Sequence, residues 1–122
     1  MVKFTSFISV VYVVRNQGHA LSEIVGRASA KLSSMTTDYE LIIIDNASED
    51  ESVSVLKNLT GQSGYPNLQV YTLTEEVDGD TASWVGLESA LGDFVAVIDP
   101  LLEDIDFLPE MLDKAVKGAD VV

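Results

Sequence analysis

The chain has no cysteine, a single histidine and a single tryptophan, and only 7 Lys+Arg against 20 Asp+Glu. Without thiols there can be no disulfide, no thiolate metal site and no cysteine nucleophile, and a reducing compartment is permitted. The lone His19 has no partner ligand or nucleophile near it in sequence and reads as a polar residue at a helix start. The formal net charge of −13 argues against nucleic acid as a partner, because a phosphate backbone is bound through a basic surface. It also opposes any anionic small molecule, unless a cation or a helix N-terminus compensates locally. No apolar run is long enough to cross a bilayer. The longest, 4–14, leads into Arg15-Asn16-Gln17-Gly18 rather than a small-residue cleavage site, so it does not read as a secretory leader.

What is present is an ordinary globular composition, 47% hydrophobic and 22% charged over 122 residues, enough for one domain or a large piece of one. Short apolar runs alternate with amphipathic stretches. Residues 7–14, rich in Val and Ile, read as a strand buried on both faces; 39–44, 68–73 and 94–98 read as three more. Helices are predicted over 20–32, from Ser48 to about Leu59, over 81–91 and over 107–116. Ser48 and Glu51 have the spacing of a capping box, Gly92 reads as a helix stop, and Pro109 fits a first helical turn. Alternating strands and helices imply a three-layer α/β/α, doubly wound, mostly parallel sheet with right-handed crossovers. The ending, Gly118 to Val122, reads as a fifth strand cut off as it begins. The expectation is therefore one subdomain, 1–122, excised from a longer protein, with an exposed edge that favours self-association.

Such sheets bind ligands at the carboxyl ends of their strands, which directs attention to Arg15-Asn16, Asp45-Asn46, 74–80 and Asp99 onward. Asp45 and Asn46 point to opposite faces, and are read either as ligand contacts or as a polar turn bonding its own backbone. Asp99, with Glu103, Asp104 and Asp106, is read either as a Mg²⁺ or Mn²⁺ site, since these ions prefer oxygen ligands, or as a helix cap with solvated loop charges. Arg15 is read as a phosphate contact or as the partner of a carboxylate, and Trp84 as packing against the sheet in preference to stacking on a base.

Five segments in order, Ile8-Ser9-Val10-Val11, Tyr39–Ser48, Gly86-Leu87-Glu88, Gly92-Asp93-Phe94-Val95 and Leu108–Leu112, resemble the N-terminal half of family 2 glycosyltransferases. The resemblance implies the Rossmann-like GT-A fold. For the complete enzyme it implies inverting transfer of a sugar from a nucleotide-diphosphate sugar to a hydroxyl acceptor. It implies bacterial envelope polysaccharide synthesis in the cytoplasm, with the full-length protein at the inner membrane face. The acceptor side and the base lie beyond this stretch, so no catalytic residue is named and the fragment alone is expected to be inactive. By the same resemblance Val13, Arg15 and Asn16 frame the nucleoside, Asp45 and Asn46 hold it, and Asp99 sits near the diphosphate.

Where the family has an Asp-Asp pair this chain has Asp45-Asn46, and an amide both donates to and accepts from a base edge. Where the family has an Arg-Asn-x-Gly-like loop, Glu75-Glu76-Val77-Asp78 stands here. The metal-binding Asp-x-Asp becomes Asp99-Pro100-Leu101, which leaves Asp99 as the ligand of a weak Mg²⁺ or Mn²⁺ site. Those departures support an alternative, a catalytically inactive GT-A-like binding or assembly module. A receiver-like signalling domain ranks last, because no acidic pair follows the first strand.

Overall fold

The computed structural model describes residues 7–60, 64–100 and 105–116. Its elements run β1 (Ile8–Val14), α1 (Leu21–Met35), β2 (Tyr39–Asp45), α2 (Ser52–Leu59), β3 (Leu68–Thr72), α3 (Gly79–Ser89), β4 (Phe94–Ile98), a 3-10 turn (Ile105–Phe107) and α4 (Leu108–Val116). The expected fifth strand and residues 101–104 fall outside the described residues.

The four strands form one parallel sheet in the order β3-β2-β1-β4. β-branched side chains favour these runs, and burial on both faces removes the need for polar alternation. The faces divide by residue parity. Val10, Tyr12 and Val14, with Leu41 and Ile43, pack against Leu21, Val25, Ala28 and Leu32 of α1, Leu56 of α2, and Ile105 and Leu108. Val11, Ile42 and Ile44 face the other way, onto Ala82 and Val85 of α3. Right-handed crossovers require this layout: the chain moves outward from β1 to β3 with helices on one face, then returns past β1 to β4 with α3 on the other. The reversal makes the β1–β4 boundary a topological switch point, where the carboxyl ends of an open sheet leave a crevice.

The register aligns those ends. Val14 lies opposite Asp45, Asp45 opposite Thr72, and Tyr12 opposite Ile98, so Asp99 leaves the sheet beside the end of β1.

Four local expectations are corrected. Ser48 does not cap α2, which starts at Ser52 with Glu51 in the cap position and no side-chain cap; the Ser48 hydroxyl is turned back to Asp45 instead. α3 begins two residues before the expected Thr81, because Asp78 caps it by accepting from the Thr81 N–H at 2.7 Å. Gly92 does not stop α3, which ends at Ser89. A Cβ at Gly92 would stand 2.8 Å from the Ser9 nitrogen and 2.9 Å from the Phe7 carbonyl, so its smallness lets the loop before β4 lie against β1. Trp84 does not pack on the sheet but is 60% exposed. At 100° per residue, the face of α3 carrying Ala82, Val85 and Gly86 leaves position 84 pointing away.

Candidate functional site

The carboxyl ends of β1 and β2 are joined by a dense set of hydrogen bonds. The Asn46 N–H donates to the Val14 carbonyl at 2.8 Å, carrying the β1–β2 ladder one step beyond the strands. Asn16 adopts a left-handed conformation, φ 54°, which Asn tolerates better than most residues. There its N–H donates to the Ser48 hydroxyl at 2.8 Å and its side-chain oxygen accepts from the Glu49 N–H at 2.7 Å. Gln17 N–H donates to the Ser52 hydroxyl (3.2 Å) and Gly18 N–H to Asp50 (3.1 Å). The two loops therefore behave as one rim.

Asp45, 1% exposed, accepts from both the hydroxyl and the N–H of Ser48. Asn46, 6% exposed, faces the opposite way, as the strand alternation requires. Its side-chain amide is paired on both edges with one residue's backbone: Nδ2 donates to the Val77 carbonyl at 2.7 Å, and Oδ1 accepts from the Val77 N–H at 3.0 Å. The same loop places the Glu76 carboxylate 3.5 Å from the Arg15 guanidinium. Arg15 Nε and Gln17 Oε1 are buried and make no hydrogen bond to the protein.

Two carboxylates on this rim sit below the ordinary aspartate range. Asp50 is lowered chiefly by the Ser52 hydroxyl, aided by the N–H groups of Ser52 and Gly18, and Asp78 by its bonds to Thr81. The rim segments 13–20, 45–52, 72–80 and 99–100 carry Asp45, Glu49, Asp50, Glu51, Glu75, Glu76, Asp78, Asp80 and Asp99, against Arg15 as the one Lys or Arg. An anion approaching this rim meets net negative charge with a single guanidinium at its centre.

Of the residues singled out from sequence, the structure brings Val13, Arg15, Asn16, Asp45 and Asn46 to one rim, and the register places Asp99 beside it. Asp99 is exposed, and Leu101, Glu103 and Asp104 lie outside the described residues. Asp106 pairs with Arg27 (3.6 Å) and Lys31 (3.8 Å) of α1. No three His, Cys, Asp or Glu side chains converge among the described residues, so these alone do not make a metal site. His19 is exposed, and Ala20 holds the N-cap position of α1. Sequence reasoning misses the rim roles of Ser48, Asp50 and Ser52, which join the loops, and of Val77, which engages Asn46. The alternation of serines with an acid over 48–52 is a usable signal for the first three; nothing local marks Val77.

The sequence and the fold have counterparts in known proteins. An undecaprenyl-phosphate 4-deoxy-4-formamido-L-arabinose transferase of Edwardsiella ictaluri is 31% identical over 121 residues, covering 98% of this chain and 37% of its own length. A protein of the same description from Pseudomonas fluorescens is 28% identical over 116 residues, covering 94% of this chain and 34% of its own. The chain thus spans about a third of the length of these relatives. Among solved structures, a mannosyltransferase from Pyrobaculum calidifontis in complex with GDP-Man and Mn²⁺ superposes with a TM-score of 0.79. That match covers 94% of this chain and 34% of the other, at 18% identity, and establishes the shared fold. No helix among the described residues is long and apolar enough to cross a membrane. With residues 9–122 also matching the family profile, sheet and relatives agree: the chain belongs to glycosyl transferase family 2.

Proposed function

We propose that the chain is the nucleotide-sugar-binding part of a family 2 glycosyltransferase. The complete enzyme transfers a sugar from a nucleotide-diphosphate donor to a hydroxyl acceptor with inversion. The relatives' names extend the acceptor class to a lipid phosphate such as undecaprenyl phosphate, which accords with work at the inner membrane face. The observation that carries the reading is the convergence of Val13–Asn16 with Asp45-Asn46 at the carboxyl ends of two central strands, beside the switch point. In this reading Val13, Arg15 and Asn16 frame the nucleoside, the Asp45-Asn46 pair holds the base, and Asp99 lies toward the diphosphate. The neighbour's Mn²⁺ supports a divalent ion accompanying the donor. Asp99 is the described residue placed to contribute to such a site, and alone it binds the ion weakly, because hard cations need several oxygen ligands.

Titrating UDP and GDP while following backbone amide shifts tests the assignment. Shifts should begin at residues 13–16 and 45–46. Shifts confined to the amino ends of the strands, or to the outer face of α3, would overturn it. The acidic rim favours a second reading, a non-catalytic module of the same fold. Absence of any nucleotide response from the rim at millimolar ligand would decide for that reading.

A further inference from the structure

The loop between β3 and α3 touches the two rim groups best suited to a nucleotide, and it touches each with ligand-like chemistry. A nucleobase edge pairs with an amide through one donor and one acceptor side by side. The Val77 backbone gives Asn46 this same pair, N–H to Oδ1 at 3.0 Å and C=O from Nδ2 at 2.7 Å. A phosphate binds a guanidinium through anionic oxygens, and the Glu76 carboxylate stands 3.5 Å from that of Arg15. One side chain anchors the loop: Val77 is half-buried against the core between the sheet and α3. The remainder, Thr74, Glu75, Glu76 and Asp78, is exposed.

We propose that the 74–78 loop is a built-in competitor of the nucleotide, with the Val77 backbone in the place of the base edge and Glu76 in the place of a phosphate. This rests on the nucleotide-binding reading above and adds a displacement step to it. Binding requires the loop to lift from Asn46 and Arg15, so the apparent dissociation constant equals the intrinsic one divided by the fraction of molecules with the loop lifted. The Glu76 contact is exposed and screened, while the paired bonds to Asn46 are sheltered, so Val77 dominates the closed state.

The test uses the 122-residue chain and the variants Glu76→Gln and Val77→Gly. Two quantities are read: hydrogen exchange of the residue 77 amide without ligand, and the affinity for uridine and guanosine from amide shifts. Neutral nucleosides are chosen because removal of a carboxylate would tighten a charged nucleotide by simple relief of repulsion. Glu76→Gln should accelerate exchange about threefold. Val77→Gly should accelerate it about tenfold. In each variant the nucleoside affinity should rise by the same factor as the exchange rate, since both report the lifted fraction. Faster exchange with unchanged or weaker affinity would overturn the competitor role and make the loop a fixed wall of a valid site. Unaltered exchange in both variants would overturn it as well. Nucleoside shifts that bypass residues 13–16 and 45–46 in all three proteins would remove the binding reading itself, and the loop's role with it.

Discussion

The two ends of the sheet differ in how completely their buried polar groups are partnered. At the amino-terminal end, the Glu40 carboxyl group, 3% exposed, accepts from the Ser9 hydroxyl (2.6 Å), the Leu91 N–H (2.7 Å) and the Gln69 amide (2.8 Å). Ser9 in turn accepts from the Gly92 N–H at 2.9 Å. This cluster links β1, β2, β3 and the loop before β4, and every member is engaged by a group on a neighbouring strand or loop. At the carboxyl-terminal end, Arg15 Nε and Gln17 Oε1 are buried without a protein partner, and Asn46 is completed only by a loop backbone. A buried polar network that is fully satisfied rigidifies the fold, whereas a group held only by an exposed loop can be released to another partner when the loop lifts. One end reads as scaffold, and the other carries the rim proposed above as the nucleotide site.

The largest test of that contrast is Glu40→Ala. It strands a main-chain N–H, a hydroxyl and an amide together, and we expect a loss of about 3 kcal/mol by chemical denaturation. Glu76→Ala at the other end should change stability by less than about 1 kcal/mol, because its ion pair is exposed. Equal losses in the two variants would erase the distinction.

Gly86→Ala probes the layer between the ends. A Cβ there would fall well inside van der Waals contact distance of the Val11 side chain, itself buried in the central strand. The expected loss is about 2 kcal/mol, the scale of overpacking a well-filled interior, with the thermal midpoint falling accordingly.

A smaller and opposite change is expected at Ala47. It holds a left-handed backbone, φ 55°, in the turn that presents Asp45 and Asn46. Ala47→Gly should stabilise the chain by about 0.5 kcal/mol, the relieved strain exceeding the added flexibility of the unfolded state. A destabilised variant would mean that the Ala47 side chain contributes packing to the rim.

The smallest effect concerns acid. Asp50 and Asp78 are depressed in the folded state, so the stability they add is fully present above the ordinary aspartate value and is lost as pH falls through their lowered ones. They should contribute nothing to any pH dependence between about 5 and 7. Acid unfolding curves of Asp50→Asn and Asp78→Asn should be shallower than that of the parent below about pH 4. Curves parallel to the parent's would show that other carboxylates carry the acid sensitivity.

Much of the fold is legible in the sequence. β4 begins and ends where its apolar run does, and β1, β2 and β3 differ from expectation by single residues at one end. Strand burial on both faces leaves a continuous apolar signature that needs no tertiary information, and the order of strands and helices, with the handedness of crossovers, then places the ligand edge. Hence the convergence of Val13–Asn16 with Asp45-Asn46 follows from the order of elements alone. Helix starts are less legible. Ser48 has the spacing of a cap, but a hydroxyl bonds whichever acceptor the fold brings nearest, and here that is Asp45.

What only the tertiary structure decided was the partner of each polar group. Glu40 sits inside an apolar run with no local sign that Ser9, Gln69 and Leu91 would converge on it. Asn46 and Val77 are thirty-one residues apart, and Arg15 meets Glu76 across the top of the sheet. Apolar burial is non-directional and nearly additive along the chain, so periodicity in the sequence records it. Hydrogen bonds and ion pairs depend on distance and angle between groups far apart in sequence, and those exist only once the sheet has been assembled.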